Sequence, residues 1–194
     1  MSCSLVGSEM CIRDSINFTD SYFSMAAFDD MYQQVVTVNG VSKSFAMTGW
    51  RLGYIGAPEW IAKACTKIQG KFTSGASSIS QRAALAAVSS SPNVISPMKE
   101  AFLERRNFML KELRNIKGIK INEPKGAFYL FPDVSELFGQ HFDGKTVNNA
   151  DDLCLFLLEE AKVALVTGNA FGSPNCIRIS YACLLYTSDA ADDP

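Results

Sequence analysis

A lysine and an arginine stand eight residues apart in a run of small residues and glycines. The run is Gly40-Val41-Ser42-Lys43-Ser44-Phe45-Ala46-Met47-Thr48-Gly49-Trp50-Arg51-Leu52-Gly53. A lysine that forms an imine needs small neighbours, so that a flat ring can come close to the backbone. It also needs a lowered pKa, because only the free amine attacks a carbonyl. Desolvation and a nearby cation such as Arg51 both push in that direction. A guanidinium offers a planar fork of donors that matches a phosphate. Either residue alone is ordinary surface charge; the pair, bracketed by glycines, is the richest chemical signal in the chain.

Those residues need a scaffold. The β-rich run Gln34–Asn39 is expected to be a buried strand that ends at Gly40 and delivers the lysine to a loop. A second strand is expected over Leu52–Gly56. A helix from Pro58 to about Lys71 follows, then a loop over Thr73–Ser78. Ser78 or Ser80 is expected to cap an Ala-rich helix that ends near Ser89. A long helix is expected from Ile95 to Asn115. Its apolar stripe is Met98, Phe102, Met109 and Leu113, with Lys99, Glu104, Arg106 and Lys111 off that stripe. Strands are expected at Ile119–Asn122, Ala127–Phe131, Val163–Val166 and Ile177–Ser180. A helix over Asp151–Ala161 turns Leu153, Phe156 and Leu157 inward. Alternation of strand and helix indicates an α/β or α+β architecture.

Composition narrows the function. The 194 residues carry a net charge of −2, which leaves no electrostatic footprint for nucleic acid. No apolar run approaches the ~20 residues that cross a bilayer. The single histidine, His141, excludes His-pair metal sites, and no metal site is expected; it reads as a surface residue. Six cysteines without a CxxC pair or regular spacing read as reduced thiols of a cytoplasmic protein. Trp50 reads as a packing anchor.

The stretch around Lys43 resembles the pyridoxal-phosphate attachment signature of the class I aminotransferases. FDDMYQQVVTVNGVSKSFAMTGWRLGYIGAPEWI is similar to the large-domain segment of the aspartate aminotransferase branch. PKGAFYLFPDVS resembles that branch's small-domain strand facing the active site, and ALVTGNAFGSPNCIRISYA its C-terminal turn and arginine strand. The resemblance implies a fold-type-I, pyridoxal-phosphate-dependent transferase. Residues 16–97 would form part of the large domain, and residues 98–182 most of the α+β small domain, which begins at the long helix. It implies that Lys43 binds pyridoxal 5′-phosphate as an imine and then moves the substrate's α-proton. Arg51 and Ser42 join it in binding the cofactor. Arg178 takes the substrate α-carboxylate, with Gly126 and Phe128 beside the substrate. Gly168, Phe171 and Gly172 shape the turn before Arg178. Gly40 stands where some members carry a phosphate-binding serine, which removes one expected phosphate contact.

The implied activity is amino transfer between an L-amino acid, aspartate-like in this branch, and a 2-oxo acid, in a homodimer. The Thr73–Gln81 loop resembles one near that dimer interface. Other enzymes of the same fold (a C–S lyase, a decarboxylase, an aromatic aminotransferase) share these features. So does the aminotransferase-like effector domain of a transcriptional regulator. The resemblance also implies an Asp-x-x-Tyr element upstream of Ile16, a phosphate-binding loop and a closing helix after Ala182. Without them the 194-residue chain is expected to be inactive.

The two ends stand apart. A back-translation of Met10–Asp14 plus the first two bases of the Ser15 codon has a reverse complement that, one base out of phase, encodes the Cys-Leu-Leu-Tyr-Thr of Cys183–Thr187. Residues 1–15 and 183–194 therefore resemble translated sequencing adapters and are read as non-native tails. Their charged residues (Glu9, Arg13, Asp14, Asp189, Asp192, Asp193) sum to −4, so the stretch between them carries +2.

Overall fold

A computed structural model describes residues 16–19 and 24–182. The adapter-like tails and the termini beyond 16 and 182 lie outside these described residues. The chain divides into two compact units, one up to Lys99 and one from Glu100 onward.

The first unit is built on a two-stranded antiparallel ladder, β1 (Thr37–Gly40) and β2 (Gly53–Gly56). The pairing runs Thr37↔Gly56, Val38↔Ile55, Asn39↔Tyr54 and Gly40↔Gly53. The first strand starts at Thr37 rather than Gln34, because Tyr32–Gln34 forms a turn of 3-10 helix. It is not a buried strand either, since Val38 is 54% exposed and, among the described residues, β2 alone pairs with it. Two helices follow, α1 (Glu59–Phe72) and α2 (Ser78–Val88). Pro58 precedes α1 with φ −51° and ψ 144°, and so occupies the cap rather than the first turn. Ser77, not Ser78 or Ser80, stands at the start of α2, and Ser80 is buried inside it. Helix α1 buries none of its residues, and Trp60, Ile68 and Phe72 are all largely exposed.

Helix α3 (Ser96–Arg114) follows a short 3-10 segment over Pro92–Ile95. Its buried residues are Phe102, Arg106, Leu110 and Leu113. The expected stripe is right for Phe102 and Leu113, whereas Met98 and Met109 are only half-buried. Arg106 belongs on the inner face, four residues from both Phe102 and Leu110, and not on the outer face as expected.

The second unit centres on a three-stranded antiparallel sheet in the order β3–β7–β6 (Tyr129–Leu130, Ile177–Ser180, Val166–Thr167). Ile119–Asn122 contributes a single bridge, Lys120↔Asp133, rather than a strand. A hairpin absent from the sequence expectation, β4 (Gln140–Phe142) and β5 (Lys145–Val147), turns at Asp143-Gly144. Both turn residues have positive φ (46° and 77°), the geometry that an Asp-Gly pair favours. Helix α4 (Ala150–Glu160) is capped by Asn149, whose side-chain oxygen accepts from the Asp152 N–H at 2.8 Å. Asp151 and Asp152 in its first turn complement the helix dipole. Leu153 is buried and Phe156 and Leu157 are half-buried as expected, packing with Val134, Val147, Ala150 and Ile177 into one core.

Asp133 ties this unit together. Its backbone exchanges two 2.9 Å hydrogen bonds with Lys120 and bridges to Cys176. Its carboxylate accepts from Ser135, whose hydroxyl and backbone N–H together hold it below its ordinary pKa of 3.8. A lowered folded pKa adds stability that is complete above 3.8 and is lost as pH falls through the lower folded value. Asp133→Asn should therefore flatten the acid limb of a pH–stability curve measured by urea unfolding. An unchanged acid limb would show that other carboxylates set it.

Candidate active site

Lys43 sits on a tight turn that leaves β1. The Phe45 N–H donates to the Val41 carbonyl at 3.2 Å, and the Ala46 N–H to the Lys43 carbonyl at 3.3 Å. Val41 is fully buried and Ser44 is 4% exposed, so the turn is pinned on either side of the lysine. Lys43 itself is exposed, and Ser42 is half-buried with its carbonyl accepting from the Thr48 hydroxyl at 3.1 Å. The loop closes where it began, since Gly40 pairs directly with Gly53 across the ladder. A Cβ on Gly53 would press on the Asn39 carbonyl at 3.1 Å, so the glycine permits this close pairing.

Two residues with side chains, Ala46 and Arg51, take the left-handed conformation inside this loop (φ 53° and 52°). That conformation is unfavourable for any residue with a Cβ and persists only where the surroundings enforce it. Arg51 is exposed, and its guanidinium donates to the Thr48 carbonyl at 3.4 Å. One short, strained and pinned loop thus carries an accessible amine and an accessible guanidinium. An amine can condense with an aldehyde, and a guanidinium can pair with a phosphate. Trp50, expected as a packing anchor, is 43% exposed.

In the second unit Arg178 lies on β7, the middle strand of its sheet, opposite Val166. Its guanidinium carbon stands 4.6 Å from the centre of the Tyr129 ring and 4.7 Å from that of Phe171. Each such contact contributes about 0.5–1 kcal/mol at a partly exposed site. Two rings against one guanidinium restrict where it can lie. The sequence expectation gave Phe171 to the turn but passed over Tyr129. Strand register makes the contact, because Tyr129 pairs with Ser180 on the same strand as Arg178, and no local sequence pattern marks it.

The turn before Arg178 is equally constrained. The Gly168 N–H donates to the Cys176 carbonyl at 2.7 Å, and the Ser173 N–H returns to the Gly168 carbonyl at 3.0 Å. A Cβ on Gly168 would collide with the carbonyl oxygens of Ser173 and Cys176. Gly172 adopts φ 71° and closes the 3-10 segment over Gly168–Phe171. Asn169 donates to Asp151 on α4 at 2.6 Å, anchoring the turn to that helix. Gly126 is half-buried. Phe128 is buried, with ring centres 5.6 Å from Phe102 and 4.5 Å from Tyr129, so its side chain packs within the unit. Among the described residues, no group of three or more His, Cys, Asp or Glu side chains could hold a metal ion. Among the same residues, no helix is long and apolar enough to cross a membrane.

The model of the family "Aminotransferase class I and II" matches residues 9–187. A bifunctional aspartate aminotransferase and glutamate/aspartate-prephenate aminotransferase from Petunia hybrida is 51% identical over 175 residues. That match covers 88% of this chain and 36% of the Petunia protein. An aspartate aminotransferase from Pinus pinaster is 49% identical, over 84% of this chain and 34% of its own length. The crystal structure of the aspartate aminotransferase from Rhizobium meliloti superposes with a TM-score of 0.86 at 36% identity. It covers 92% of this chain and 45% of that one. The chain thus spans about a third of the two curated relatives.

Gly168→Ala should destabilise the protein by about 2–4 kcal/mol, because backbone carbonyls cannot step aside as a side chain would. Urea unfolding measures this, and a loss below about 0.5 kcal/mol, the range of ordinary surface substitutions, would show that the turn relaxes.

Proposed function

The chain belongs to the class I and II aminotransferases, and from that premise we propose that it is part of an enzyme that moves an amino group between an L-amino acid and a 2-oxo acid. The amino acid is aspartate-like, as the names of the Petunia and Pinus relatives suggest. One observation carries the reading: the pinned loop between Gly40 and Gly53, which holds Lys43 and Arg51 accessible on a constrained backbone.

Lys43 would hold pyridoxal phosphate through its amine, with Arg51 for the phosphate and Ser42 next to the lysine in the chain. When bound, the cofactor supplies an electron sink for the pair released as the α-C–H bond breaks. Arg178 receives the substrate carboxylate. Gly126 lets the main chain approach the substrate, and the buried Phe128 holds that segment in place. The Lys43 amine would serve as the general base that takes the substrate's α-proton. A bound cofactor would carry the amino group from the first substrate to the second 2-oxo acid, with water supplying the keto oxygen of the product, and kinetics of that kind are ping-pong. The intact enzyme is cytoplasmic and homodimeric in this reading. Free thiols at Cys65, Cys154 and Cys176 support a reducing compartment.

In the intact enzyme, Lys43→Ala should abolish transamination in both half-reactions. Arg178→Lys keeps the charge but loses the fork, and should lower kcat/KM for L-aspartate by roughly a hundredfold. Steady-state and single-turnover kinetics read both effects. Retained turnover in Lys43→Ala would overturn the assignment.

A further inference from the structure

We infer that Arg106 and Tyr181 are positioning residues that clamp the main chain of residues 124–128 from two sides and thereby fix the site of the substrate carboxylate. The inference rests on the reading that Arg178 receives that carboxylate. Arg106 donates through Nη1 to the Pro124 carbonyl at 2.8 Å. The Tyr181 hydroxyl donates to the Ala127 carbonyl at 2.8 Å, and the Tyr181 N–H to the Phe128 carbonyl at 3.0 Å. Three carbonyls in a five-residue stretch are thus held by two side chains and one strand-end amide.

The segment they hold needs holding. Ala127 adopts φ 65°, a conformation that alanine avoids unless its neighbours impose it. Both clamping residues are deeply buried, Arg106 at 8% and Tyr181 at 1% exposure. A buried guanidinium is costly unless its donors are engaged. Arg106 also donates to the Asn107 side-chain oxygen at 3.1 and 2.8 Å and pairs with Glu123 at 3.4 Å. Burial pushes the Tyr181 phenol above its ordinary pKa, an effect that the charge of Arg106 opposes. Phe102 completes the arrangement with its ring 5.6 Å from Phe128 and 6.5 Å from Tyr181.

The clamp reaches the chemistry through contact. Residue 128 leads directly into Tyr129, whose ring lies on the Arg178 guanidinium. Tyr129 also pairs with Ser180, next to Tyr181 itself. A shift of the 124–128 main chain would tilt that ring and turn the guanidinium away from the carboxylate. Lys43 belongs to the other unit. Loss of the clamp should therefore weaken substrate binding more than it slows chemistry.

The test compares the intact wild-type holoenzyme with Tyr181→Phe, Arg106→Met and Arg106→Lys. Each is read by KM for L-aspartate, by kcat, and by the visible absorbance band of lysine-bound cofactor. Tyr181→Phe removes one oxygen and keeps the ring packing, so it decides the matter if Arg106→Met fails to fold. The expected result is a KM raised about fivefold in Tyr181→Phe and in Arg106→Met, the loss of one hydrogen bond. In both, kcat stays within about twofold and the band is unchanged, while Arg106→Lys recovers part of the KM. An unchanged KM in Tyr181→Phe overturns the clamp, as does a joint loss of band, kcat and KM, which is what general destabilisation produces. A wild type with neither band nor transamination overturns the aminotransferase reading first, and this inference with it.

Discussion

A side chain that performs chemistry must stay accessible while the backbone beneath it is held still, and the residues around Lys43 meet both demands at once. Val41 and Ser44 are buried on either side of it, whereas Lys43 itself remains exposed. The Gly40↔Gly53 pair closes the loop at its base, so the amine and the Arg51 guanidinium hang from one short ladder. Backbone that would otherwise relax is kept at Ala46 and Arg51 in a left-handed conformation. The second unit solves the same problem differently. There Arg178 is carried by the central strand of a small sheet and is oriented by two aromatic rings rather than by buried neighbours in sequence.

The two units differ in how far they close upon themselves. The second has a continuous core from Val134 to Ile177, with α4 packed on the sheet. The first leaves Trp60 and Phe72 of α1 and Ile79 and Leu85 of α2 largely exposed. Apolar faces of that kind mark surfaces that pack against something else. They accord with a chain that spans about a third of its curated relatives, and with the proposal that catalysis belongs to a longer protein.

Much of this was legible from residue types and spacing. Strand β7 falls at Ile177–Ser180 as expected, and the helices lie within a few residues of their expected bounds. The hairpin β4–β5 was missed although Asp143-Gly144 announces it. Its strands have three residues each, too few for alternation to register. Arg106 was misplaced for a different reason. A stripe drawn by residue type assigns every arginine to solvent, whereas position places Arg106 between Phe102 and Leu110 on the inner face. Its burial depends on the Pro124 carbonyl eighteen residues away, which no local pattern reveals. The Tyr129 contact with Arg178 is likewise a matter of strand register rather than of sequence proximity.

The account depends most on Lys43 as the residue that holds the cofactor. Borohydride reduction of the intact protein loaded with pyridoxal phosphate, followed by proteolysis and mass spectrometry, tests this directly. The account predicts one reduced pyridoxyl adduct, on the peptide that contains Lys43. An adduct on another lysine, or none on a folded and loaded protein, would contradict it.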